Sequence, residues 1–165
     1  MTKLTALLAV VGALSLAIAG AALAVPPVQE TDSQDYSGSS SCGSFDDVFV
    51  GHLDAHLMTT FDQAGNPVRD ILHFNGWETN YRSDMPSVSI TGHRSFTVMF
   101  DYSSGIERDI GNIFTQTFPG QGVLFHDVGL ISFLGPNLLT IHGPHDIFDQ
   151  GEAAYCNGLI AATPN

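Results

Sequence analysis

Basic residues are scarce in this 165-residue chain, which has 5 Lys and Arg against 17 Asp and Glu. After Lys3, the only Lys or Arg residues are Arg69, Arg82, Arg94 and Arg108. An acidic surface of this kind repels phosphate backbones and anionic lipid headgroups. We therefore expect neither nucleic acids nor membrane surfaces among the partners of the protein.

Long apolar runs are equally few, and the one that is present lies at the N-terminus. Residues 1–24 combine the positive Lys3, the apolar run 4–19 and a small-x-small cleavage site ending at Ala24, as secretory signal peptides do. No later run approaches the length of about 18 apolar residues that a membrane-spanning helix needs. The sequence predicts a secreted, extracellular protein that has no membrane insertion after signal cleavage.

The chain has only 2 cysteines, Cys42 and Cys156. In an exported protein such a pair most simply forms one disulfide, which here would tie the two ends of the folded domain together. Closing a loop of this length with a disulfide raises the free energy of unfolding by roughly 4 to 5 kcal/mol in the chain-entropy model. A metal-bound or catalytic thiol is the alternative, but neither cysteine has a C-x-x-C partner.

The rest of the chain divides into two parts by composition. Residues 25–41 are rich in Ser, Pro, Gly and acidic residues and have almost no large apolar side chains, which is typical of a disordered acidic linker. Residues 42–165 have the length and the apolar content of a single domain with one core.

Alternation of apolar and polar residues dominates that domain, which indicates β-strands. The first strand is predicted at 49–61 and the second at 68–81, joined by hairpin-turn residues at 62–67. Further strands are predicted at 87–91, 95–102, 106–118, 123–128, 130–134 and 138–142. Asp149 and Glu152 have the spacing of a capping box, so a short C-terminal helix should follow.

Strands at this spacing with turns between them predict an all-β, antiparallel fold, either a barrel or a β-sandwich. We expect a barrel, because the strands are long and connected in sequence order, and because closure removes exposed sheet edges.

Polar residues on an inward strand face suggest that the barrel encloses a cavity. In the strand at 106–118, Arg108 shares its face with Phe114 and with other large apolar residues. The residues predicted to line this cavity and bind a ligand are Trp77, Tyr81, Arg108 and Phe114. A bulge near Gly111 is the alternative, since it would shift the register and turn the polar groups outward.

The best metal-like spacing in the sequence is His52, Asp54 and His56, because strand residues two apart project from one face. Imidazole and carboxylate groups suit zinc or another divalent ion. The alternative is a solvated outer face, since the intervening positions provide an apolar inner face. We favour this alternative and predict no metal. Those apolar residues are Phe49, Leu53, Leu57 and Phe61.

A second cluster, His142, His145 and Asp146, lies at a strand end and turn, where binding groups are often presented. A neutral imidazole there could act as a general base whose tautomer is fixed by a carboxylate. These three residues are the catalytic candidates if the protein is an enzyme. A polar turn whose histidines contact carbonyl groups or water is the alternative.

Several short motifs resemble a group of small secreted bacterial proteins for which no activity is established. The motifs are Cys42, D-x-x-G-N-P at 62–67, G-x-G-V-L at 120–124, G-P-H-D at 143–146 and the late Cys156. The resemblance implies an all-β domain, shaped like the barrels of the lipocalin or allene oxide cyclase superfamilies. It carries over no catalytic residue.

No reaction or cofactor motif is present, so no cofactor is predicted and the sequence leaves the oligomeric state open. The leading hypothesis is a secreted barrel that binds a small, largely apolar molecule. The alternatives are a cyclase or hydrolase with a His/Asp site at the barrel mouth, and a structural or adhesion module without a pocket.

Overall fold

One antiparallel sheet organises the chain in the computed structural model, which describes residues 25–118, 122–151 and 153–163. Its seven strands are hydrogen-bonded in sequence order. The elements are β1 (Val28–Ser41), β2 (Asp46–Phe61), β3 (Pro67–Arg82), β4 (Ser89–Asp101), β5 (Ile106–Phe118), β6 (Gly122–Leu134), β7 (Asn137–His142), α1 (Asp146–Gln150) and α2 (Ala153–Ala161). The predicted signal peptide lies outside the described residues.

The predicted all-β, antiparallel fold with a short C-terminal helix is confirmed. The sheet is a meander that hydrogen bonds do not close, because β1 and β7 each pair with one neighbour among the described strands. Within the described part of the chain, no helix has both the length and the apolar character needed to cross a membrane.

The prediction of a disordered linker at 25–41 is wrong for most of that segment, because residues 28–41 form β1. This strand pairs with β2 without a break in register from Val28 opposite Thr59 to Ser41 opposite Asp46. The composition suggested disorder because it offers little apolar surface. An antiparallel ladder needs only backbone hydrogen bonds and side chains that tolerate water on an edge strand.

The observed strands differ from the predicted ones mainly because two predicted neighbours are in two cases one continuous strand. The hairpin at 62–67 is confirmed, and Asp62 Oδ1 accepts hydrogen bonds from the backbone N–H groups of Ala64 and Asn66, at 2.8 and 2.9 Å. The two short strands predicted on either side of Gly92 are one strand, β4, and the two on either side of Gly129 are one strand, β6.

The two faces of the sheet differ sharply in what they carry. Directly paired residues of neighbouring strands point to the same side, so the register assigns each residue to a face. One face, which we call the histidine face, carries six of the chain's 7 histidines. They are His52, His56, His73, His93, His126 and His142. The other face, which we call the covered face, is packed by the helices at one end.

Two small apolar clusters bring the helices onto the covered face. One contains Leu159 of α2 together with Ile90 of β4, and the other contains Ala154 of α2 together with Phe114 and Phe125. The predicted disulfide is confirmed: Cys42 and Cys156 are bonded, with a Cα–Cα distance of 5.5 Å. It holds α2 against the turn between β1 and β2.

The capping-box prediction is wrong in detail. Asp149 lies within α1 and not before the first turn of α2, and Glu152 lies outside the described residues. Gly151 separates the two helices with φ of 61°, a conformation that favours glycine.

Candidate functional site

Six polar side chains from five neighbouring strands meet on the covered face, next to α2. We call this group the polar cluster, and it consists of Tyr36, Asp47, Glu78, Asn80, Arg94 and Gln116. Alternation along the strands places them on one side of the sheet, in register with one another. Asp47, Glu78, Asn80 and Gln116 are all buried. Such burial is costly unless each group is hydrogen-bonded.

Two glycines on the same face make room for the cluster. Gly51 lies opposite Tyr36, whose ring occupies the space where a Cβ on Gly51 would be. Gly92 likewise leaves room for Phe114 and Gln116, which extend across β4.

Glu78 is the centre of one half of the cluster. Its Oε2 accepts a hydrogen bond from the hydroxyl of Tyr36 at 2.9 Å and from Arg94 Nη2 at 3.1 Å. The Arg94 guanidinium also lies over the Phe114 ring, 4.6 Å from its centroid, which is a cation–π distance. The charge of Glu78 is therefore matched by a fixed cation.

Asp47 is the centre of the other half, and its partner is neutral. Asn80 Nδ2 donates to both carboxylate oxygens of Asp47, at 3.2 and 3.0 Å. Gln116 Nε2 in turn donates to Asn80 Oδ1. The hydrogen bonds that Asp47 accepts from the described residues thus come from an amide and not from a cation.

Burial controls the acid–base behaviour of this site. Loss of hydration raises the pKa of Asp47 to about 6, and the nearby charge of Glu78 adds to the rise. Burial and the hydrogen bond to Glu78 raise the pKa of Tyr36 to about 12. A strongly perturbed carboxyl beside a cavity is a common mark of a functional site.

A pocket of about 200 Å³ opens onto the cluster between the strands and α2. Asp47, Glu78 and Asn80 form its polar wall. Phe49 and Tyr155 line it with aromatic rings, and Ser40 adds a hydroxyl. Tyr155 stacks on Phe125, with 5.0 Å between the ring centroids, so the helix side of the pocket is firmly packed.

The four predicted ligand-binding residues do not share a cavity. Phe114 is buried on the covered face, whereas Trp77, Tyr81 and Arg108 point to the histidine face. The reason is a register shift between Asn112 and Phe114, with a matching shift in β4. The register shift of the alternative prediction, a bulge near Gly111, is thus present, but it does not turn every polar group outward, because Gln116 is buried on the covered face.

The three catalytic candidates also separate. His145 Nδ1 lies 2.5 Å from Asp127 Oδ1, and its Nε2 lies 3.1 Å from the backbone carbonyl oxygen of His142. Both ring nitrogens of His145 therefore face partners inside the fold, so neither is left pointing at a place where a substrate could bind. Asp146 accepts a hydrogen bond from the backbone N–H of His126 at 2.6 Å. The His142 side chain is exposed.

His52, Asp54 and His56 share the histidine face, as their spacing predicts. His52 Nδ1 contacts Asp35 Oδ1 at 2.7 Å, and its Nε2 lies 3.3 Å from Asp54 Oδ1. These contacts belong to a solvated surface. Across residues 25–118, 122–151 and 153–163, no three His, Cys, Asp or Glu side chains form a group suited to a metal ion.

Sequence reasoning missed the polar cluster, although one signal was present. Glu78 and Asn80 share their strand face with Leu72 and Phe74, so that face is neither cleanly polar nor cleanly apolar. Which polar residues become buried depends on where α2 docks, and alternation alone does not determine that.

Comparison with known proteins finds no family model, curated protein or solved structure that matches this chain. The resemblance to small secreted bacterial proteins therefore stays a prediction, and only the site itself bears on the function.

Proposed function

We propose that this is an exported binding protein whose covered-face pocket takes a compact organic cation, such as a small amine with an apolar body. The observation that carries the proposal is Asp47, a buried carboxyl that lines a pocket and is hydrogen-bonded by an amide. The formed disulfide fits the export that the N-terminal sequence predicts.

The charge balance of the pocket favours a positive ligand. Arg94 neutralises Glu78, whereas Asp47 is held by Asn80. An ionised carboxylate in such a place lacks the compensation that burial demands. A bound ammonium group would supply it, and that differential interaction is a source of binding free energy.

The size and the walls of the pocket define the rest of the ligand. A volume of about 200 Å³ is below the roughly 300 to 1,000 Å³ of pockets for drug-sized molecules, so the ligand should be compact. Phe49 and Tyr155 offer ring faces for an apolar body and for a cation–π contact. The sequence-based hypothesis of a largely apolar ligand is thus refined to one with a cationic group.

The geometry gives no such support to the enzyme hypothesis built on His142, His145 and Asp146. Both nitrogens of His145 are already hydrogen-bonded, and Asp146 is committed to the backbone of β6.

The test is a calorimetric titration of the protein with compact aliphatic and aromatic amines, alongside alcohols of the same shape. We expect the amines to bind at pH 7.5 and the alcohols to bind at least about tenfold more weakly, since an interaction of 1.4 kcal/mol corresponds to that factor. Amine affinity should fall below pH 6, because Asp47 takes up a proton there. Equal binding of amines and alcohols would contradict the proposal.

A matched pair of variants locates the site. Asp47→Asn removes the charge at the pocket and should abolish the preference for amines. Asp109→Asn is the control, because burial also raises the pKa of Asp109 to about 6, while its side chain lies on the same face outside the pocket lining. Amine binding that survives in Asp47→Asn but is lost in Asp109→Asn would place the ligand elsewhere.

A further inference from the structure

An exposed aromatic surface lies on the opposite side of the sheet, around the single tryptophan of the chain. Trp77 is 40% exposed on the histidine face, which is high for so large an apolar side chain. It lies directly between His52 of β2 and His93 of β4. Three rings therefore stand side by side on three neighbouring strands.

A shallow groove of about 480 Å³ runs beside this tryptophan, toward the edge strand β1. We call it the Trp77 groove. Its lining on the histidine face consists of Asp35, Ser37, Val50 and Trp77, and Tyr36 and Gly51 also border it, although their register assigns them to the covered face. The Asp35 carboxylate is largely exposed at its rim, and the half-exposed Val50 adds apolar surface beside the indole.

This combination matches the surface of a sugar ring. A pyranose presents an apolar face of C–H groups and an edge of hydroxyls, so it needs a flat apolar partner and nearby hydrogen-bonding groups. The indole supplies the flat surface. Asp35, Ser37 and the adjacent His52 supply acceptors and donors along one side of it.

The groove is also held in a fixed shape. His52 Nδ1 contacts Asp35 at 2.7 Å, which ties the carboxylate of the edge strand to β2. The indole itself is mounted on β3, which is paired on both sides. Binding groups on rigid strands lose little conformational entropy when a ligand binds.

The charge of the groove selects among sugars. Its lining includes Asp35 and contains no Lys or Arg, and the chain as a whole has a formal net charge of −12. Uronic acids and sulfated glycans would be repelled. We propose that the Trp77 groove binds a neutral pyranose glycan, with one sugar ring stacked on Trp77. This site is independent of the covered-face pocket.

The test is direct because Trp77 is the single tryptophan of the chain. The intrinsic tryptophan fluorescence of the protein therefore reports on this groove. The full mature chain is titrated with neutral cello-, malto- and xylo-oligosaccharides, and with polygalacturonate as the anionic comparison. We expect at least one neutral series to change the emission saturably and polygalacturonate to leave it unchanged. If no neutral series binds, or if polygalacturonate binds as well as they do, the proposal is overturned.

Variants then connect the signal to the indole. Trp77→Ala should weaken binding by about tenfold or more in affinity electrophoresis, and Trp77→Phe should weaken it less, because a smaller ring keeps part of the stacking. Phe148→Ala is the matched control, since Phe148 is a similarly exposed ring on α1. Unchanged binding by a folded Trp77→Ala protein overturns the proposal, and so does equal loss in Phe148→Ala.

Discussion

The covered face and the histidine face are built from alternate residues of the same strands, yet they treat charge in opposite ways. On the covered face, Asp47 and Asp109 are buried enough for their pKa values to rise to about 6. On the histidine face, His52 stays in contact with water, and hydrogen bonding to Asp35 raises its pKa. Charge is thus costly on one face and nearly free on the other.

At the end of the sheet that carries Asp47, the difference comes from the helices and not from the polarity of the strands. Both faces carry many polar residues, but only the covered face has Phe114, Phe125 and Ile90, on which α2 can dock. Once the helix is in place, the polar side chains beside these apolar residues lose water and must pair with one another. The contrast between the faces should therefore disappear if α2 is released.

The largest effect that tests this contrast should come from the disulfide. Replacing both Cys42 and Cys156 with Ala should lower the free energy of unfolding by about 4 to 5 kcal/mol, because the bond closes a loop with a sequence separation of 114. Urea titrations of the two proteins measure the difference. A loss of less than about 1 kcal/mol would show that packing alone holds α2 on the sheet.

A pair of neighbouring residues in α2 tests the same docking without changing a covalent bond. Leu159 is fully buried and Ile160 is 54% exposed, so the two differ in environment but little in size. Leu159→Ala should cost about 2 to 5 kcal/mol of unfolding free energy, and Ile160→Ala should cost much less. Equal losses would mean that α2 docks through a different side from the one described.

The same contrast between the two faces explains which features of the protein can be predicted from its sequence. Alternation correctly placed His52, Asp54 and His56 on one face, because side-chain direction in a strand depends only on local geometry. It could not reveal that Asp47 and Glu78 would be buried together, since that depends on a helix more than 70 residues later along the chain. Nor did composition reveal β1, because pairing with β2 provides what its own side chains lack.

The next effect concerns pH and has the opposite sign from the first two. The folded-state pKa of Asp47 is above the unfolded value of 3.8, so the folded protein binds more protons between pH 4 and pH 6. Stability should therefore fall as pH rises through that window. Asp47→Asn should raise the free energy of unfolding at pH 7 by about 1 to 3 kcal/mol, measured by urea titration at several pH values.

Asp109→Asn provides the comparison for that experiment. It should also stabilise the protein at neutral pH, because burial raises the pKa of Asp109 in the same direction. If neither substitution changes the slope of unfolding free energy against pH, Asp47 and Asp109 are not desolvated in the folded protein.

The smallest effect should be found on the histidine face, where it is confined to β1. His52 contacts Asp35 of β1 at 2.7 Å, and the raised pKa of His52 means that this contact stabilises most below the unfolded pKa of 6.5. The contribution is lost as pH rises through the folded pKa. Hydrogen exchange of the β1 amides, corrected for intrinsic rates, should thus show less protection at higher pH, and His52→Ala should remove that dependence.

His56→Ala is the matched control, because His56 lies on the same face of β2 opposite Thr31 of β1 and belongs to a different row of the sheet. If both substitutions changed β1 alike, the edge strand would depend on the general charge of the face and not on the contact between His52 and Asp35.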